Sequence, residues 1–395
     1  MTATDHTAEP VSAPASAPRL RYIDALRGIA ALLVLWLHVA NSYHALSPQT
    51  AAQAHWLNDF ISQIDIGRIG VVVFFLISGF VIPFSIRPHG GAPVAGFAIR
   101  RFFRIYPAYW LSVPLAAFVF YWWPGLPFGG SEFLVNLTLL QDLFGVRPAE
   151  GVYWTLLVEL AFYALCIVLL LTRSLFAPRR IAALCAALAT LHVFAMFMQW
   201  IGRPVVSITV SFWLLHLSVM LWGTLYRLRT SGEASDHLAR LALWTLAVFY
   251  IVVLPVAATL AIHRTPNYTS PYAIAFVVFL VGTSVLRIET RLTDWLGRIS
   301  YSVYLLHPIV FQPVLMWLLL QPAASAWRTQ HLSIYLAANL VMTLLAASLV
   351  FRFVEQPAIR LGHRLAVRRE GRARIRPPAV AQAAPVAASA EPAAS

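Results

Sequence analysis

The chain is a succession of apolar runs, each of about the twenty residues that a helix needs to cross a bilayer. They fall at 22–43, 67–86, 105–123, 153–172, 180–200, 204–226, 240–262, 271–287, 299–320 and 332–354. Short polar connections separate them. Of the 395 residues, 59% are hydrophobic and 11% charged, about half the charged share of a soluble domain. In lipid every backbone group must be bonded inside its own segment, which leaves helices as the form these runs can take. The pattern predicts an all-α, polytopic integral membrane protein with about ten transmembrane helices.

The net charge of +13 raises the question of nucleic acid, but all 29 basic residues are arginine and their placement follows the connections. One alternate set of connections holds Arg19, Arg21, Arg87, Arg100, Arg101, Arg104, Arg173, Arg179, Arg180, Arg227, Arg229, Arg240, Arg287, Arg291 and Arg298. The other holds Arg68, Arg147, Arg203, Arg264 and Arg328. The positive-inside rule puts the first set in the cytoplasm. Both termini are then cytoplasmic and the number of spans is even. The expected location is the inner (plasma) membrane, multi-pass, with membrane lipids rather than nucleic acid as partners. Residues 1–20 read as a disordered cytoplasmic tail without a signal-peptide pattern. Residues 21–356 form the membrane domain. Residues 357–395 are a basic, then Ala/Pro-rich, cytoplasmic tail whose arginines suit anionic headgroups.

Ionisable residues at membrane depth are costly and point to function. Arg27 and His38 lie eleven residues apart in the first run, close to three helical turns, so they share a face and stand roughly 16 Å apart along the axis. Taken alone, His38 reads equally well as a functional imidazole or as a residue bonded to a neighbouring helix. In the fourth run, Glu159 follows Tyr153 and Trp154 and lies roughly 9 Å below the outer end, close to the depth of His38. A carboxylate beside an imidazole fixes its tautomer and raises its basicity; the alternative is a structural ion pair. Arg101 and Arg104 share a helical face and offer planar donors suited to phosphate, although plain topology also accounts for arginines there. Ser300, Tyr304 and His307 share a face of the ninth run, with Pro308 set to kink it. His307 is a candidate for lining the same cavity as His38, or for helix packing. His192 and His216 stand alone in apolar runs and read as packing. Ser78-Gly79 favours close helix approach.

Two connections on the arginine-poor side are long. Residues 44–66 carry Asp59 and Asp65. Residues 124–152 carry Glu132, Asp142 and Glu150, with a short apolar piece, Phe133 to Leu140, suited to a re-entrant or interfacial helix over an outward cavity. Cys166 and Cys185 have no metal-ligand spacing and read as buried thiols.

These segments resemble the acyltransferase-3 family of membrane-bound O-acyltransferases. The resemblance rests on Tyr22-Ile-Asp24-Ala-Leu-Arg27-Gly-Ile-Ala with His38, Phe-Phe-Leu-Ile-Ser78-Gly79-Phe, Arg100-Arg101-Phe-Phe-Arg104-Ile-Tyr106-Pro107, Trp154-Thr-Leu-Leu-Val-Glu159, Gly297-Arg-Ile-Ser300-Tyr301-Ser-Val-Tyr304-Leu-Leu-His307 and Phe353-Val-Glu355-Gln-Pro357, in that order. It implies transfer of an acyl group, most often acetyl, from cytoplasmic acyl-CoA to a sugar hydroxyl of an envelope or exported glycan. His38 matches the family's essential histidine, and Arg27, Arg101 and Arg104 match its arginines. The expected mechanism has these arginines holding CoA phosphates, with acyl-CoA (acetyl-CoA above all) as donor substrate and no metal or bound cofactor. His38 acts as base and Glu159 orients it; an acyl-histidine intermediate is the alternative course. Asp24, Ser78, Tyr153, Trp154, Tyr304 and His307 are expected to line the cavity, and a glycan or glycolipid is the expected acceptor. The competing reading is a proton-coupled transporter or glycolipid flippase using the same histidine and carboxylate.

Overall fold

The computed structural model describes residues 20–44, 46, 52, 64–86, 92–232, 236–257 and 269–375. Its helices are α1 (Arg21–Tyr43), α2 (Ile66–Val81), α3 (Pro93–Ala117), α4 (Gly130–Asn136), α5 (Trp154–Leu171), α6 (Pro178–Trp200), α7 (Ile208–Thr230), α8 (His237–Val248), α9 (Ser270–Ser284), α10 (Arg291–Leu320), α11 (Leu332–Val350) and α12 (Gln356–Ile375), with no strand among the described residues. Wider π-helical turns extend α3 and α8 and join α11 to α12. Among the described residues, nine helical segments are long and apolar enough to cross a membrane, while Ser270–Ser284 is apolar but shorter. The expected run at 271–287 is the one that meets the shorter helix, of 15 residues.

Local chemistry sets the helix starts. The Asp65 carboxylate accepts the Arg68 N–H at 2.8 Å and caps α2. Ser207, Asp236 and Thr290 cap α7, α8 and α10 in the same way. Pro93 and Pro178 open α3 and α6, where a missing N–H costs nothing.

α1 is packed between α2 and α10, and small residues let the backbones meet. A Cβ on Gly297 would stand 2.2 Å from the Asp24 carbonyl oxygen, so glycine sets the α1–α10 crossing. At the α2–α7 crossing, a Cβ on Gly79 would stand 1.8 Å from the Met220 carbonyl oxygen. Thr224 on α7 then donates to the Gly79 carbonyl at 3.0 Å.

Polar contacts join helix ends that the arginine alternation puts on one side. Arg21 pairs with Asp294, Arg100 with Glu370 and Arg179 with Asp236 on the arginine-rich face. Arg328 donates to the Leu46 carbonyl and Arg147 pairs with Glu132 on the other. α12 does not leave the bundle at once: Gly362 packs on Phe103, and Gly96 of α3 packs on Glu370. The basic segment expected as a surface tail therefore begins as a helix docked on α3.

Candidate active site

Two cavities lie along α1. The inner one, of about 80 Å³, faces the arginine-rich side and is lined by Arg27, Ser78, Arg101, Thr155, Glu159, Ser300, Tyr301 and Tyr304, among apolar residues of α2. The outer one, of about 560 Å³, faces the arginine-poor side and includes His38, Asp65, Arg68, Asp142, Glu150, Trp154, His216, Tyr272 and Tyr304. Val71 and Tyr304 line both. The shared face of Arg27 and His38 holds, with one residue opening into each cavity.

Tyr304 is the partition. Its hydroxyl lies 2.8 Å from Thr155 Oγ1 and 3.2 Å from the Val152 carbonyl oxygen. Phe74 stands edge-on to its ring. These contacts fasten α10 to the start of α5 at the level where the cavities meet.

The arginines have different roles. Arg101 lines the inner cavity, donates to Ser85 Oγ and lies over the Phe97 and Tyr163 rings. Arg27 is half-buried there, and its buried Nε has no hydrogen-bond partner among the described residues. Arg104 lies beside the cavity and is ion-paired to Glu355, whose other carboxylate oxygen accepts Ser302 Oγ at 2.7 Å. Glu355 sits in the π-helical turn after α11 and is 1% exposed. Arg104 thus ties α3 to α11 and α10, whereas Arg101 and Arg27 line the cavity itself.

The expected contact between His38 and Glu159 is not formed among the described residues. Glu159 accepts the Tyr163 hydroxyl at 2.5 Å and lies in the inner cavity within electrostatic reach of Arg27 and Arg104. His38 lies in the outer cavity, and the carboxylate within its electrostatic reach is Asp65. The cause is the long connection before α5. Gly151, Val152 and Trp154 already line the outer cavity beside His38, so α5 starts at that depth rather than at the membrane surface. Glu159, five residues further, falls about 7.5 Å deeper.

His38 has no hydrogen bond among the described residues, and its ring meets that of His307, with centroids 5.1 Å apart and planes at 66°. His307 is fully buried behind it and lines neither cavity. Tyr153 is likewise packed away: it is fully buried, with its hydroxyl 2.9 Å from Ser112 Oγ on α3. Asp24 lines neither cavity and sits at the α1–α10 crossing under Gly297. Ser78, Trp154 and Tyr304 do line the cavities. His192, with Nδ1 2.9 Å from the Ser211 carbonyl oxygen, links α6 to α7. His216, with Nε2 2.9 Å from the Tyr272 hydroxyl, closes the floor of the outer cavity.

Asp65, Arg68, Asp142 and Glu150 complete the outer cavity, and the three carboxylates come from the two long connections on the arginine-poor side. Burial pushes the Glu150 carboxyl up to about 8, against the Val152 and Gly151 N–H groups that pull it down. Burial raises the Asp142 carboxyl as well. Among the described residues, no group of histidine, cysteine and carboxylate side chains is arranged to hold a metal.

The helix bundle thus holds Arg27, Arg101 and Glu159 in one cavity, His38, His216, Arg68 and three carboxylates in another, and a tyrosine that lines both. Comparison with known proteins gives the chemistry. The profile of the acyltransferase-3 family, described as an acyltransferase domain, matches residues 20–352, and the chain belongs to that family. Nodulation protein 10 of Rhizobium leguminosarum bv. viciae is 27% identical over 375 residues, 88% of this chain and 95% of that protein. BcsY of Komagataeibacter xylinus, named for membrane-bound transacylase activity, is 28% identical over 73% of this chain and 72% of its own. Acyltransferase MdmB of Streptomyces mycarofaciens is 32% identical over 38% of this chain and 39% of its own. No solved structure matches the chain.

Proposed function

We propose that this acyltransferase moves an acetyl group from cytoplasmic acyl-CoA to a sugar hydroxyl of an envelope or exported glycan. The observation that carries this reading is the pair of cavities meeting at Tyr304, with Arg27 and Arg101 in one and His38 in the other. The arginine-rich face is cytoplasmic and the membrane is the inner one. Arg101 and Arg27 receive the phosphates of the donor, as planar cations do. Arg104 contributes through Glu355 by holding the cavity wall. The inner cavity is smaller than the roughly 300–1,000 Å³ of usual ligand pockets. Such a width suits the thin pantetheine arm, with the nucleotide left at the mouth.

The acceptor occupies the outer cavity. Trp154 and Trp213 give it flat apolar faces, and the carboxylates give hydrogen-bond acceptors for sugar hydroxyls. His38 takes the proton of the acceptor hydroxyl while that oxygen attacks the thioester carbonyl. The tetrahedral intermediate collapses, the C–S bond breaks, and His38 returns the proton to the departing thiolate. Asp65 supports the transient imidazolium. Glu159 balances the arginines in the donor cavity. Family membership favours this reading over the proton-coupled transporter or glycolipid flippase.

The test is chemical. Envelope and exported glycans from cells with and without the gene are compared by mass spectrometry, and purified protein in nanodiscs is given radiolabelled acetyl-CoA with the glycan that differs. Loss of acetyl groups in the deletion and label on the purified glycan are expected. Unchanged glycans, with no transfer of label, contradict the proposal.

A further inference from the structure

His307 is fully buried, and its Nδ1 lies 2.8 Å from the Tyr304 carbonyl oxygen and 3.2 Å from that of Val303. Carbonyl oxygens only accept, so Nδ1 carries the proton and Nε2 carries a lone pair. That Nε2 is buried with no hydrogen-bond partner among the described residues. An orphaned buried acceptor is costly and calls for an explanation.

The neighbouring ring supplies one. His38 stands with its centroid 5.1 Å from that of His307 and makes no hydrogen bond among the described residues. An N–H···N contact of about 2.9 Å, with a ring radius on either side, puts two imidazole centroids about 5 Å apart. The two rings are already at that spacing.

We propose that His307 is a positioning residue for His38, its Nε2 accepting one N–H of His38 so that the other nitrogen presents its lone pair to the outer cavity. The backbone carbonyls of α10 fix the His307 tautomer, and His307 in turn fixes that of His38. Sequence spacing pointed to Glu159 for this task, whereas the geometry gives it to a second histidine. A base held in one tautomer keeps its lone pair aimed at the acceptor. The same α10 residues carry Tyr304, so the partition and the base are set by one helical turn. The proposal rests on the role of His38 in the acyl-transfer reading.

The test separates the two. Gln at 307 carries an acceptor oxygen close to the place of Nε2, and Leu fills the space without one. Protein labelled with ¹⁵N-histidine in nanodiscs gives the tautomer of His38, whose signal is assigned by its loss in His38→Gln. A single His38 tautomer is expected in the wild type and in His307→Gln, and a mixture in His307→Leu. In the transfer assay, His307→Leu is expected to lower kcat by roughly 10–100-fold with KM for acetyl-CoA within about twofold, and His307→Gln to restore most of the loss. An unchanged His38 tautomer in His307→Leu overturns the proposal, as does a His307→Leu enzyme that turns over like the wild type. If the protein transfers no acyl group to any glycan, the proposed function falls while the tautomer measurement still judges the histidine pair.

Discussion

Arg27 and His38 stand on one face of α1 yet open into different cavities, with Tyr304 of α10 between them. A substrate held at the first residue reaches the second only past that ring. Tyr304 should therefore govern what crosses. Tyr304→Ala removes the partition and lets water from the outer cavity reach a thioester in the inner one. Hydrolysis of acetyl-CoA without acceptor is expected to rise, and the ratio of transfer to hydrolysis to fall about tenfold or more. Tyr304→Phe keeps the ring and should hold that ratio within about threefold, since only the contacts to Thr155 and Val152 are lost. Thiol release with and without acceptor checks both variants.

Arg101 and Arg104, three residues apart, should fail in different ways. Arg101 opens into the donor cavity, so Arg101→Ala is expected to weaken acetyl-CoA binding by roughly 10–100-fold while the protein melts near the wild-type temperature. Arg104 neutralises Glu355, which is 1% exposed. Arg104→Ala leaves that charge buried without its ion pair, at a cost of about 3–5 kcal/mol, and should lower the melting temperature clearly. Adding Glu355→Leu should recover part of the loss. Calorimetric CoA binding and thermal melts in the same detergent separate the two effects.

How far the residues alone lead is seen in these same arginines. The apolar runs and the face shared by Arg27 and His38 follow from helical period and charge placement, which are local. The pairing of Arg104 with Glu355, 251 residues away, does not. It needs the π-helical turn that aims Glu355 inward, and nothing in Phe351–Glu355 announces such a turn. Glu159 was misplaced for a related reason. Depth counted along a helix is sound only when the helix begins at the membrane surface, and α5 begins beside His38. Asp65 was legible as an acidic residue of a long connection but not as a carboxylate within electrostatic reach of His38, because that depends on how α2 lies against α1.

Glu150 should give the protein a pH signature. Its carboxyl rises from an ordinary 4.5 to about 8 through burial. Between those values the folded chain keeps a proton that the unfolded chain releases. This contribution to stability is full below about pH 4.5 and is lost as pH rises through about 8. The melting temperature in detergent is expected to fall over that window. Glu150→Gln, which keeps a neutral side chain, should flatten the fall. A wild-type profile that rises from pH 5 to 8, or a Gln variant with the same slope, contradicts the assignment.

His38 carries the central claim, that an imidazole at the floor of the outer cavity takes the acceptor proton. The direct measurement is the rate of acetyl transfer at saturating acetyl-CoA for wild type, His38→Ala and His38→Gln in nanodiscs, with donor binding and thermal melts followed in parallel. General-base catalysis contributes typically about 10²–10⁴-fold. Both variants are expected to fold and to bind acetyl-CoA like the wild type while transfer falls by about 10² or more, with Gln no better than Ala because it bonds but cannot take a proton. Transfer by His38→Gln within a few-fold of wild type would contradict the account and make His38 a structural residue of α1.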